Sequence, residues 1–258
     1  MIIDNIIAFR ALLALLLVSV PHIACAESSL ETDNQELPSA EKIYSSYIEH
    51  NGGRANMAAL NTFIASGRVE VEGVGLYAFR IIRKQPNKFR QKVDYTSYTK
   101  EILSNGEQAW TIVTAPNQED KVVELVGDKL SDALANSSMG GPFIRLAGQY
   151  EKFHAEAFED VRGKPAIRVE IDPSAGIYYD TVWLSTEHFQ EVKLAFSNAP
   201  DEAADPIQTE IYFSNFDKNA GVYYAKEIDY VVDGLLTQKI YIDRVRANVG
   251  LFNSYFEK

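Results

Sequence analysis

Between Phe79 and Trp110 the chain alternates with a period of two, and this stretch limits the possible fold more than any other. It reads FRIIRKQPNKFRQKVDYTSYTKEILSNGEQAW. Aromatic and β-branched residues are interleaved with Lys, Arg, Gln and Glu, the pattern of strands with one wet and one dry face. Two turn signatures interrupt the run. Pro86-Asn87 suits the centre of a β-turn, because Pro presets φ and Asn tolerates unusual backbone angles. Asn105-Gly106 is the preferred pair for a two-residue type I′ hairpin, where both residues need positive φ. The stretch predicts consecutive antiparallel strands.

The same period recurs on both sides. Strands are expected at 63–72, 76–84, 88–94, 98–104 and 108–114, then at 151–161, 166–171, 177–184, 190–196, 208–213, 222–231 and 235–246. Asp233-Gly234 marks another type I′ hairpin. Ahead of the first strand, Ile43, Tyr44, Tyr47 and Ile48 form one stripe of an amphipathic helix over 40–51. Ser39 stands as its N-cap and Gly52-Gly53 as its stop, and a short helical piece follows over 54–60. Two further helices are expected at 128–136 and 142–150, with Pro142 at the first position of the second. The connection between them, Asn136 to Gly141, is the most flexible in the chain. Serial strands with short turns favour a meander curled into a barrel or half-barrel. The expected class is mainly β with helices: a curved antiparallel sheet closed over by helices, as a single domain from 39 to 258.

Residues 1–26 read as a signal peptide. Arg10 ends a short basic region, ALLALLLVSV is the apolar core, and Ala24-Cys25-Ala26 is an A-x-A cleavage site. Cleavage after Ala26 sends the protein to the periplasm without its one cysteine. A retained, acylated Cys25 is the rival reading, but a lipobox wants an aliphatic residue where His22 stands. Residues 27–38, polar and acidic, form a disordered leader. The net charge of −11 over 258 residues argues against binding to a nucleic-acid phosphate backbone and against adsorption to anionic lipid headgroups.

Catalytic material is scarce. His50, His154 and His188 have no metal-ligand spacing, no G-x-S-x-G elbow occurs, and Gly73-Val74-Gly75 connects strands rather than opening a helix. No enzyme activity, cofactor or metal is expected. By contrast, the chain holds 14 Tyr, 13 Phe and 2 Trp, a large apolar payload.

Lys84-x-Pro86-Asn87-x-Phe89, followed by Ser104-Asn105-Gly106-x-x-x-Trp110, resembles the outer-membrane lipoprotein carrier family, LolA. There a K-R-P-N-x-F element precedes S-D-G-x-x-x-W at similar spacing. The resemblance implies an apolar cavity between the curved sheet and its helices, with Phe89 and Trp110 as ligand-binding residues. Phe79 and Ile81 on the preceding strand, and Met139, Phe143 and Leu146 on the helical segment, complete the candidate set. In the family the arginine before the proline hydrogen-bonds to a helical lid. Here Gln85 occupies that position, a donor without charge assistance. Arg83 and Arg90 are nearby, so Gln85, Arg83 and Arg90 are the candidate latch residues. The function implied is a monomeric, non-enzymatic carrier of acyl chains of lipoproteins or lipids. Its partners would be an inner-membrane extraction complex and an outer-membrane acceptor. An envelope sensor that keeps the fold and signals to a membrane regulator is the alternative.

Overall fold

A computed structural model describes residues 36–198 and 205–258; the expected signal peptide and nearly all of the expected leader lie outside the described residues. Helix α1 (Ala40–His50) forms where its stripe predicts. Ser39 Oγ accepts a hydrogen bond from the Lys42 N–H at 3.3 Å, a cap contributing about 1 kcal/mol. So short a helix is marginal alone, and burial of Ile43, Tyr44, Tyr47 and Ile48 holds it in place. A second helix, α2 (Gly53–Ala59), leads into the sheet.

The strands before the central helices are β1 (Thr62–Val71), β2 (Gly75–Lys84), β3 (Lys88–Asp94), β4 (Thr99–Ser104), β5 (Ala109–Thr114) and β6 (Lys121–Leu125). Helices α3 (Asp128–Ser137) and α4 (Gly141–Arg145) follow. The second half contributes β7 (Phe153–Val161), β8 (Lys164–Ile171), β9 (Thr181–Ser185), β10 (Glu191–Asn198), β11 (Ile207–Asn219), β12 (Val222–Val232) and β13 (Leu235–Ala247). All thirteen strands form one antiparallel sheet in the order β6-β5-β4-β3-β2-β1-β13-β12-β11-β10-β9-β8-β7. The first strand pairs with the last, which welds the two meanders, while β6 and β7 are left as edges; the sheet is not closed. At the weld a bulge falls between Ser66 and Gly67. A Cβ on Gly67 would collide with the Tyr241 carbonyl, so only glycine admits that approach.

Several local expectations need correction. Strand β6 was not expected; Val122 and Val123 on it are both exposed, so no wet-and-dry alternation marks it. The segment 142–150 is helical only to Arg145, and Gly148 at φ 76° ends any continuation. Residues 177–180, read as strand, are a loop before β9. Asp233 and Gly234 do have φ of 48° and 77°, as a type I′ turn requires. Asn105 does not have positive φ. Its Oδ1 instead accepts from the N–H groups of Glu107 and Gln108, at 3.0 and 2.9 Å, making a four-residue loop. Asn87 Nδ2 donates to the Gly106 carbonyl at 2.8 Å, so the two turns of the motif dock on each other.

Side-chain alternation sorts the core onto two faces. On the concave face one cluster joins α1 and α4 to β7–β11, around Tyr47, Phe143, Phe153 and Leu194. A second lies on β1, β2, β3 and β13, around Phe63, Phe79, Val93 and Ile240. On the convex face, Ile64, Ile82, Leu103 and Trp110 close over Phe256 of the C-terminal segment.

Candidate functional site

A cavity of about 260 Å³ lies between the concave face and the helices. Its floor draws on β3, β2, β1, β13, β12, β11 and β10. Seven flat strands would span roughly 29 Å at about 4.8 Å per neighbour, so a single cavity touching all of them requires a curved sheet. The floor is mostly apolar, with Phe63, Phe79, Ile81, Ile211, Ile228 and Ile240 among its residues. The connection Asn136–Gly141 and the first turn of α4 cover it, contributing Met139, Gly140 and Pro142. The loop 177–179 adds Ile177, Tyr178 and Tyr179.

Period-two alternation places Phe79, Ile81 and Arg83 on the concave face of β2, and all three line the cavity, as does Met139. Other candidate residues do not. Phe89 is concave too, beside Arg83, but α3 packs over this end of the sheet and leaves the ring 1% exposed and close-packed. Phe143 and Leu146, both fully buried, point into the core beneath α1, where the Phe143 ring lies 5.1 Å from Tyr47 and from Phe153.

Trp110 stands on the opposite face from the cavity, paired with Leu103. It helps to clamp the C-terminal segment, with Lys258 Nζ 5.1 Å above its ring. Arg90 shares that convex face: its Nε donates to Glu101 at 2.7 Å and its Nη1 to the Tyr255 carbonyl at 3.0 Å. Lys84 donates to the Leu251 carbonyl at 2.7 Å. These motif residues therefore serve the C-terminal clamp. Gln85 is exposed in the turn, and its backbone N–H donates to the Asn61 carbonyl at 2.9 Å.

Of the three latch candidates, Arg83 reaches the helices. Its Nε donates to the carbonyl of Asn136, at the C-terminal end of α3, at 2.7 Å. A cation there also meets the negative end of the helix dipole. Desolvation lowers its pKa from the usual arginine value, partly offset by nearby Tyr230 and Tyr179. The group lies deep in the molecule yet keeps accessible surface, because it faces the cavity.

Sequence reasoning missed a second polar pole. Glu191, at the start of β10, lines the cavity and is deep enough that desolvation raises its pKa to about 7; its hydrogen bond with Tyr47 opposes the shift. The Tyr47 hydroxyl lies 2.8 Å from Glu191 Oε1 and 2.7 Å from the Gly140 carbonyl. A Cβ on Gly141, at φ 74°, would collide with both side chains, so the cover can seat here only through glycine. The pair Gly140-Gly141 was legible as flexible; nothing in the sequence joins it to Glu191 or Tyr47. Among the described residues no cluster of three or more metal-ligating side chains occurs.

No protein-family model matches the sequence, and no curated protein does. Solved structures do match. A DUF1329 family protein from Desulfovibrio piger superposes with a TM-score of 0.55 at 14% identity, covering 84% of this chain and 97% of that one. A LolA superfamily protein from Nitrosomonas europaea gives 0.51 at 12% identity, covering 86% and 98%. The chain has a LolA-like fold: an open, mainly antiparallel sheet with helices over its concave face.

Proposed function

We propose that the protein is a non-enzymatic periplasmic carrier that encloses an acyl chain of a lipoprotein or lipid and delivers it toward the outer membrane. The observation that supports this reading most is the apolar cavity beneath a glycine-jointed cover. Acyl chains in water expose methylenes at about 0.8 kcal/mol each, so carriage needs an enclosed apolar space. At 260 Å³ the cavity is slightly smaller than the roughly 300–1,000 Å³ typical of small-molecule sites. A bulky multi-chain anchor would require the cover to lift. The expected signal peptide supports export, and an extraction complex and an outer-membrane acceptor would be the partners.

Ile81 projects into the cavity from the middle of β2. Ile81→Trp should fill part of the space and abolish binding of a fluorescent fatty-acyl probe while the variant unfolds at close to the parent temperature. Undiminished probe binding in a folded variant would count against the cavity as the site. The cover should also move: hydrogen exchange at 136–141 should be faster than in the strands and slow when the probe is bound. Equal protection with and without probe would mark the cover as static.

A further inference from the structure

We propose that access to the cavity is gated by a proton: the cover is fastened to α1 while the Glu191 carboxyl is protonated and released when it ionises, so that an acyl ligand is held in acid and exchanged in alkali. This rests on the carrier reading and adds its control.

The cover has two anchors with a joint between them. Upstream, the Asn136 carbonyl accepts from Arg83 at 2.7 Å; downstream, Phe143 is fully buried beneath α1. Between them lie Met139, which lines the cavity, and Gly140-Gly141, with φ of 123° and 74°. Two adjacent glycines let the backbone swing without steric penalty. At this joint the Tyr47 hydroxyl fastens the Gly140 carbonyl to α1 at 2.7 Å.

The same hydroxyl lies 2.8 Å from Glu191 Oε1. It has one proton to give, and both of its neighbours are oxygens. Burial and Glu191 hold the Tyr47 pKa well above the ordinary tyrosine value, so the hydroxyl itself stays protonated. All three groups are satisfied only when the carboxyl carries a proton and donates to the Tyr47 oxygen. Burial agrees with this geometry, because desolvation keeps Glu191 an acid up to about 7. Once ionised, the carboxylate takes the Tyr47 proton in a charge-assisted bond, and the Gly140 carbonyl loses its donor. A half-buried carbonyl without a donor is unfavourable, so it turns outward to water and carries Met139 with it.

Other titratable and charged groups stand around the site. Arg145 of α4 lines the cavity and donates to the Gly176 carbonyl at 3.3 Å; Arg83, Tyr178 and Tyr179 share the wall. His50 of α1 stacks on Phe189 with ring centres 5.7 Å apart, and His188 lies 3.2 Å from Glu187 in the turn before β10. Lys193 of β10 pairs with Glu210 of β11 at 2.6 Å. Among them, Tyr47 is the side chain that shifts Glu191.

The gate is read by hydrogen exchange over 138–145, corrected for the intrinsic effect of pH, and by release of a bound fluorescent fatty-acyl probe. From about pH 5 to about pH 9 the wild-type segment should exchange roughly threefold to tenfold faster, the usual contribution of one hydrogen bond, with a midpoint near 7. Probe release should quicken alongside. Glu191→Gln, whose amide donates at every pH, should hold both rates at their acid values. Tyr47→Phe should hold both at their alkaline values. A flat wild-type profile, or a change that persists in Glu191→Gln, would overturn the gate and leave the carrier reading intact. The expected exchange profile with pH-independent probe release would overturn control of the ligand by the cover. That profile in a protein that binds no probe would overturn the carrier reading and leave the proton-released cover. Should Tyr47→Phe not fold, the wild type and Glu191→Gln still decide the matter.

Discussion

Phe89→Ala should lower the stability of the protein by about 3–5 kcal/mol, the usual cost of emptying a packed aromatic site. For a chain of this size that is a fall in Tm of roughly 6–20 °C. The ring is 1% exposed, set between β2 and β4 beneath α3, with the Arg83 guanidinium 5.8 Å from its centre. Alanine is a cleaner probe than glutamate, because a carboxylate at position 89 would face Arg83 directly across the strands and recover part of its cost. Thermal unfolding decides the matter. A variant that melts with the parent would mean that Phe89 borders open space rather than core.

The second large effect is in pH. Glu191 titrates at about 7 in the folded protein against an ordinary 4.5, so between those values the folded state holds the extra proton. A higher folded pKa for an acid means stability that is fully present below 4.5 and lost as pH rises toward 7 and beyond. At 1.36 kcal/mol per unit, the loss is about 3 kcal/mol. Hydrogen-bond geometry gives the loss a location. The Tyr47 hydroxyl has one proton and two acceptors, Glu191 Oε1 and the Gly140 carbonyl. A protonated Glu191 donates to the Tyr47 oxygen, and Tyr47 then donates to Gly140, so every group is served. An ionised Glu191 claims the Tyr47 proton, and the cover loses its bond to α1. No cation among the described residues offsets the ionised form; Tyr47 is the one side chain that shifts it. Glu191→Gln, whose amide donates at every pH, should match the wild type in acid and exceed it by about 3 kcal/mol in alkali. Denaturant titrations across that range measure the difference. Parallel stability curves for the two proteins would contradict the assignment.

Much of the sheet was readable because its strands carry one wet and one dry face, and because Asp233-Gly234 and Pro86-Asn87 mark real turns. What failed to show has physical causes. Edge strand β6 is exposed on both faces and so lacks the signal. Residues 177–180 have strand-like composition, yet Gly176 at φ 64° turns the chain and sends Tyr178 and Tyr179 to the cavity wall. The face of Trp110 follows from the observed register. Arg90 pairs with Leu103 and Leu103 with Trp110, and directly paired residues share a face, so Trp110 shares one with Leu103 and Arg90 and not with Phe89. The family resemblance put Phe89 and Trp110 together; alternation separates them. Tyr47 and Glu191 are far apart in sequence, and neither the helical stripe nor the strand pattern distinguishes them from ordinary residues of their elements. Their meeting is a product of the fold.

Acyl carriage is tested most directly by what the protein holds when it is taken from the envelope in which it was made. Mass spectrometry of an organic extract of the purified wild-type protein should show an acyl-bearing molecule in stoichiometric amount, and the extract of folded Ile81→Trp should lack it. Wild-type protein with no acyl species, and no uptake of one when offered, would contradict the carrier function.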